Sequence, residues 1–109
     1  MSYEVKTIDV FERQAKKLLK KYPSLKAELY SLVNDLKENP KMGSPIGKNC
    51  YKIRLAIKSK GKGKSGGARV ITNFLITDDI VFLLTIFDKS QKENLTDKEL
   101  GELLKFIPE

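Results

Sequence analysis

The sequence predicts an α+β domain in the order β-α-α-β-β-β-α, an N-terminal helical hairpin packed on a mainly antiparallel sheet. Three observations lead there: apolar residues recur at helical spacing through 9–38, the period changes from 3.6 to 2 at residue 50, and a capped apolar stripe follows the last strand. Residues 2–7 alternate Tyr3 and Val5 with polar neighbours, a short strand. Asp9 with Glu12 reads as a helix N-cap and its box partner. Phe11, Ala15, Leu18, Leu19 and Tyr22 then form one stripe, which Pro23 stops. Ser24 is placed to cap a second helix with Leu25, Leu29, Leu32, Val33 and Leu36 on one face, ended by Asn39-Pro40. From residue 50, Tyr51, Ile53, Leu55 and Ile57 alternate with Lys52, Arg54 and Lys58. The segment 58–67 contains only Lys, Ser and Gly, a flexible loop. Residues 68–77 make a second strand, Asp78-Asp79 a tight turn, and IVFLLTIF (80–87) an apolar central strand. Thr96 with Glu99 forms a capping box ahead of Leu100, Leu103, Leu104 and Ile107. All the helices are expected on one face of the sheet, with a single domain over 1–109.

Composition narrows the function. The 109 residues are 40% hydrophobic and 32% charged, a globular profile with a thin core and not a disordered one. There is no His, which excludes Ser-His and Cys-His dyads, His-ligated zinc and imidazole general bases. The single Cys50 makes neither an internal disulfide nor a Cys-rich metal site, so no metal is expected. No window approaches the ~18 apolar residues of a membrane span, and MSYEVKTIDV lacks an apolar signal core. A cytoplasmic protein without a membrane association is expected.

The net charge of +7 is unevenly placed. Residues 39–77 hold 9 basic residues and no acidic one, whereas 78–109 hold 4 basic and 8 acidic. Such a block reads as a surface for a polyanion, either nucleic acid or an acidic protein partner. A P-loop fails on two counts: the motif ending Gly63-Lys64-Ser65 needs glycine where Lys58 stands, and the loop opens a strand, not a helix. Four lysines remain there, Lys58, Lys60, Lys62 and Lys64, as a phosphate clamp or a solvated hairpin tip. Lys52 and Arg54 share a strand face. Arg69, with Asn73 on its face, would come near them across the loop. Such a cationic group needs an anion to complete it, unless each side chain points separately into water. Asn94-Leu95-Thr96 matches a glycosylation triplet, but Thr96 is better explained as a helix cap.

The run CYKIRLAIKSKGKGKSGGARVI, followed by FLLTIFDKSQKENLT, resembles the RelE/ParE superfamily of bacterial toxin–antitoxin modules, and within it the HigB-like members. The resemblance covers essentially the whole chain. It implies a RelE-like fold and a ribosome-dependent mRNA endonuclease acting in the A site, in which the RNA 2′-OH attacks the adjacent phosphate without metal or cofactor. Lys52 and Arg54 stand where RelE has a strand pair of lysines. Arg69 matches the arginine that stabilises the phosphorane, and Lys89 stands near an arginine proposed as general acid. Of the strand pair, Lys52 is the base candidate, because a guanidinium keeps its proton. Lys58, Lys60, Lys62, Lys64, Asn73 and Phe87 form the expected RNA- and ribosome-binding set. Leu95 stands nearest a family tyrosine that stacks on the substrate base, and Phe87 replaces another frequent tyrosine. The implied partners are the ribosome, mRNA and a cognate antitoxin with a DNA-binding domain. The alternatives are a ParE-like inhibitor of DNA gyrase and a nucleic-acid-binding module without chemistry.

Overall fold

The computed structural model describes residues 2–61, 66–92 and 94–107. Strand β1 (Glu4–Thr7) leads into helices α1 (Asp9–Lys21) and α2 (Leu25–Glu38). Strands β2 (Ser44–Gly47), β3 (Cys50–Leu55), β4 (Ala68–Leu75) and β5 (Ile80–Asp88) follow, and helix α3 (Asp97–Leu104) closes the fold. The sheet order is β1-β5-β4-β3-β2, with β1 parallel to β5 and every other pairing antiparallel. The α+β class and the helical hairpin on a mainly antiparallel sheet are as expected.

The hairpin side of the sheet is apolar because both helices present stripes to it. Leu25, Leu32 and Leu36 of α2 are buried, as are Phe11 and Ala15 of α1. β5 is buried over almost its full length, with Val81, Leu84 and Ile86 at the centre of the core. β1 pairs with β5 only as far as Thr7 and Leu83, so farther along β5 a helix, not a strand, must satisfy the edge. Gln14 of α1 does so: its Oε1 accepts from the Ile86 N–H (3.2 Å) and the Thr85 hydroxyl (2.5 Å).

Five local expectations change. Strand β2 was not foreseen, since it is four residues long and contains Pro45. It forms because Lys48 and Asn49 both adopt positive φ (55° and 59°), a two-residue hairpin turn matched to strand twist. Gly43 permits the approach to it; a Cβ there would meet the Lys52 carbonyl at 2.4 Å. Asp9 is the first helical residue, not the cap: buried Ile8 precedes the helix, and the Thr7 hydroxyl bonds the Glu12 carboxylate. Ser24 stands at the N-cap position of α2 as expected, but its backbone is helical (φ −72°, ψ −15°) and its side chain makes no cap bond; its hydroxyl donates to Glu28 (3.1 Å) and accepts the Ser59 N–H (2.9 Å). The strand expected over 68–77 ends at Leu75, and a 3₁₀ turn (Ile76–Asp78) carries the chain to Asp79 at φ 54°.

The fifth change matters most for function. Leu100 of α3 lines a pocket with Lys52 and Ile71, which are cross-strand partners on the sheet face opposite Ile53 and Val70. Helix α3 therefore covers the face that was expected to be open. Its N-terminus is built as the sequence implies: Thr96 accepts the Glu99 N–H (3.1 Å), and Glu99 accepts the Thr96 N–H (3.0 Å).

Candidate functional site

Strand register brings the expected cations together. Arg54 of β3 is directly opposite Arg69 of β4, and Arg69 is directly opposite Phe87 of β5. One residue pair along the same face, Lys52 is opposite Ile71, which is opposite Thr85. Lys89 lies one step beyond Asp88, where its N–H donates to the Gly67 carbonyl (3.0 Å) and extends the β4–β5 ladder. Lys52, Arg54, Arg69 and Lys89 thus converge on one end of three adjacent strands, although they are spread over 38 positions of sequence.

The surroundings of each differ. Arg69 is only 4% exposed, and its Nη1 donates to the Ala68 carbonyl (3.1 Å). Burial, and then the neighbouring Arg54 charge, pull the Arg69 pKa below its usual value. Like charges directly opposite on a sheet repel, so each arginine of this pair is stabilised by any negative charge close to it. Arg54 is exposed and can meet such a charge from solvent. Lys52 is half-buried and donates to Asn94 Oδ1 (3.3 Å) at the rim of a pocket of about 230 Å³, where Leu95, Asp97 and Leu100 approach from the α3 side. Asn94 escaped sequence reasoning because its contact spans 42 positions.

The expected binding set divides. Lys58 is exposed, while its backbone N–H donates to Glu28 (2.7 Å). Lys60 does not reach outward: its side chain is 10% exposed and forms an ion pair with Asp88, whose side chain is fully buried. Tyr22 donates its hydroxyl to the same carboxylate (2.8 Å), as do the Ser90 N–H (2.9 Å) and hydroxyl (2.7 Å). Burial pushes the Asp88 carboxyl up, but the bonds from Lys60, Ser90 and Tyr22 outweigh it and hold it well below the usual carboxylate range. Residues 58–60 consequently form a 3₁₀ turn clipped to the α1–α2 junction, not the start of a flexible loop. Lys62 and Lys64 lie outside the described residues. The one sequence signal for this network was a carboxylate, Asp88, ending an otherwise apolar strand.

Asn73 and Phe87 are structural. Asn73 is 6% exposed, and its Nδ2 donates to the Lys48 carbonyl (3.1 Å), holding the β2–β3 turn. Beside it, burial raises the Cys50 thiol pKa, with Asn73 and Lys48 opposing. Phe87 is buried at the base of a cleft of about 300 Å³ shared with Leu95, Leu103 and Phe106. The exposed aromatic of this cleft is Phe106.

This face sets Arg54 and Arg69 opposite each other with Lys52 one pair along, and the Lys89 backbone lies at the adjoining end of the β4–β5 ladder. A family model described as the RelE toxin of the RelE/RelB toxin–antitoxin system matches residues 6–107. Among solved structures, a double arginine-to-alanine mutant of E. coli RelE in the free state is 18% identical, with a TM-score of 0.62 covering 99% of this chain and 100% of that one. The RelBE2 toxin–antitoxin complex from Mycobacterium tuberculosis is 17% identical, with a TM-score of 0.60 over 81% of this chain and 92% of that one. The same E. coli mutant bound to an antitoxin RelB peptide is 19% identical, with a TM-score of 0.58 over 99% and 100% of the two chains. The likeness to these structures is one of fold.

Proposed function

Because this chain belongs to the RelE toxin family of toxin–antitoxin systems, we propose that it is a ribosome-dependent endoribonuclease that cuts mRNA in the A site. The observation that carries the reading is the Arg54–Arg69 pair, two arginines directly opposite each other across the β3–β4 ladder with Lys52 on the same face. Such a site gains most when negative charge grows on one phosphate, which is what attack by a neighbouring hydroxyl produces. In the proposed reaction Lys52 is the base that takes the proton of the 2′-OH, and the 2′-oxygen bonds to the adjacent phosphorus. Arg69 and Arg54 bind the equatorial oxygens of the phosphorane through planar N–H donors. The bond from phosphorus to the 5′-oxygen breaks, and the Lys89 ammonium protonates that oxygen. The products are a 2′,3′-cyclic phosphate and a 5′-OH, with no net consumption of protons or water.

Binding partners follow from the same charges. An antitoxin with an acidic segment would neutralise the toxin by covering Arg54 and Arg69, leaving its DNA-binding domain free. Single-turnover cleavage on programmed ribosomes tests the activity, with end-group analysis for the cyclic phosphate. Induction in growing cells should give codon-phased mRNA ends. DNA damage signalling without such ends would indicate gyrase inhibition and sink the nuclease reading.

A further inference from the structure

Helix α1 carries a second cationic surface that the sequence totals conceal. Residues 1–38 look balanced, with 8 basic and 6 acidic side chains. Folding separates them. Arg13, Lys16, Lys17 and Lys20 are all exposed, and at 100° per residue they fall within an arc of about 100° and about 10 Å of helix axis. The acidic residues mostly point elsewhere: Glu4 pairs with Lys6 (3.6 Å), Glu12 bonds Thr7, and Glu28 serves Ser24 and Lys58. Asp9 alone shares the arc, one turn before Arg13 at the N-terminal end. Among the described residues none of the four cations joins an ion pair. They line a shallow groove of about 440 Å³ with Val10 and Gln14. Four like-charge contacts at i,i+3 and i,i+4 spacing each weaken the helix by a few tenths of a kcal/mol, so the grouping is unfavourable until something anionic covers it.

The chemistry of the arc narrows what that is. Its aromatic neighbours Phe11 and Tyr22 are buried, so the face offers no platform on which an unpaired base could stack. Three of the four cations are lysines, the residue that protein–protein interfaces deplete, and no aromatic anchor accompanies them. A row of point charges without base or side-chain pockets suits a polymer recognised by its phosphates alone. Double-helical RNA is read in this way, through its backbone and shape. We propose that the α1 face docks the phosphate backbone of double-helical RNA, as a surface separate from the strand face of Lys52, Arg54 and Arg69. The inference goes beyond the cleavage reaction and does not require it.

The full-length protein, in an Arg69→Ala background so that no cleavage interferes, is titrated against a 20-base-pair RNA duplex and an unstructured 20-nucleotide strand by fluorescence anisotropy between 50 and 200 mM KCl. Changing Arg13, Lys16, Lys17 and Lys20 together to Gln should weaken duplex binding at least tenfold at 100 mM. The slope of log affinity against log salt should fall by about 3–3.5, since each of the four neutralised phosphate contacts contributes ~0.7–0.9. Single-strand binding should change less. Lys16, Lys17 and Lys20 replaced by Arg should bind the duplex as the parent does, and Lys17→Gln with Lys20→Gln should give about half the slope change, which protects the test if the fourfold variant folds poorly. Duplex affinity and slope within twofold of the parent would overturn the proposal. So would a loss of binding to a poly-glutamate peptide with duplex binding intact.

Discussion

Lys60 and Arg69 come from the same acid-free stretch of sequence, and the fold treats them in opposite ways. Lys60 is turned inward to a buried carboxylate, braced by Tyr22 and Ser90. Arg69 is set opposite another arginine on the α3 side of the sheet. Lys60 is matched by a carboxylate within the protein, whereas Arg69 faces a like charge across the β3–β4 ladder. A basic block is therefore not uniformly a binding surface: part of it holds the fold.

The largest effect should come from breaking the matched charge. Asp88→Ala leaves Lys60 almost buried without its carboxylate and should cost about 3–5 kcal/mol of stability in urea unfolding. Lys60→Met combined with Asp88→Leu should recover much of that loss, because an apolar pair removes the uncompensated charge. A double variant no more stable than Asp88→Ala would show that Tyr22 and Ser90 matter more than the ion pair. The arginine side should respond in activity, not stability. Arg69→Ala should slow single-turnover cleavage by two to three decades, about 3–4 kcal/mol of transition-state stabilisation, with ribosome binding largely kept. Arg69→Lys should rescue little, since an ammonium lacks the planar fork. Cleavage within threefold of the parent would remove Arg69 from the reaction.

Smaller effects sharpen the contrast. Thr96→Ala removes one half of the α3 capping box and should cost about 1 kcal/mol by thermal or urea unfolding. It should also loosen the helix that covers Lys52. Lys58→Ala should lower the salt slope of ribosome binding by ~0.7–0.9, whereas Lys60→Ala should leave it unchanged. Acid should act through the matched carboxylates. Lys92 and the Thr96 N–H hold the Glu99 pKa down to about 2 from 4.5. A depressed carboxylate stabilises the fold fully above its unfolded value, so this contribution is lost as pH falls from about 4.5 toward 2. Glu99→Gln should flatten that part of the Tm profile, and Asp88, also held low, should keep the remainder.

Much of this was legible in order and pattern, because helical and strand periods are local properties of the chain. The stripes Phe11–Tyr22, apart from exposed Leu19, and Leu25–Leu36, the alternation from Tyr51 and the Thr96–Glu99 box all lie where the sequence implies. The catalytic candidates could also be named, although the sequence did not establish the register that makes Arg54 face Arg69. The binding set was less legible. Asn73 and Lys60 look like surface polar residues in a basic segment, and only their partners Lys48 and Asp88 show that they are structural.

By itself, then, the sequence determined the order of every element but β2, the α+β class, the segregation of charge along the chain and the absence of imidazole chemistry. These follow from composition and from periods a few residues long. Tertiary structure alone decided the short strand β2, the sheet face taken by α3, the inward turn of Lys60 and the exposed cationic arc of α1. Each of those depends on which side chains meet across tens of residues, where the balance between pairing a charge and hydrating it is settled by packing and not by local propensity.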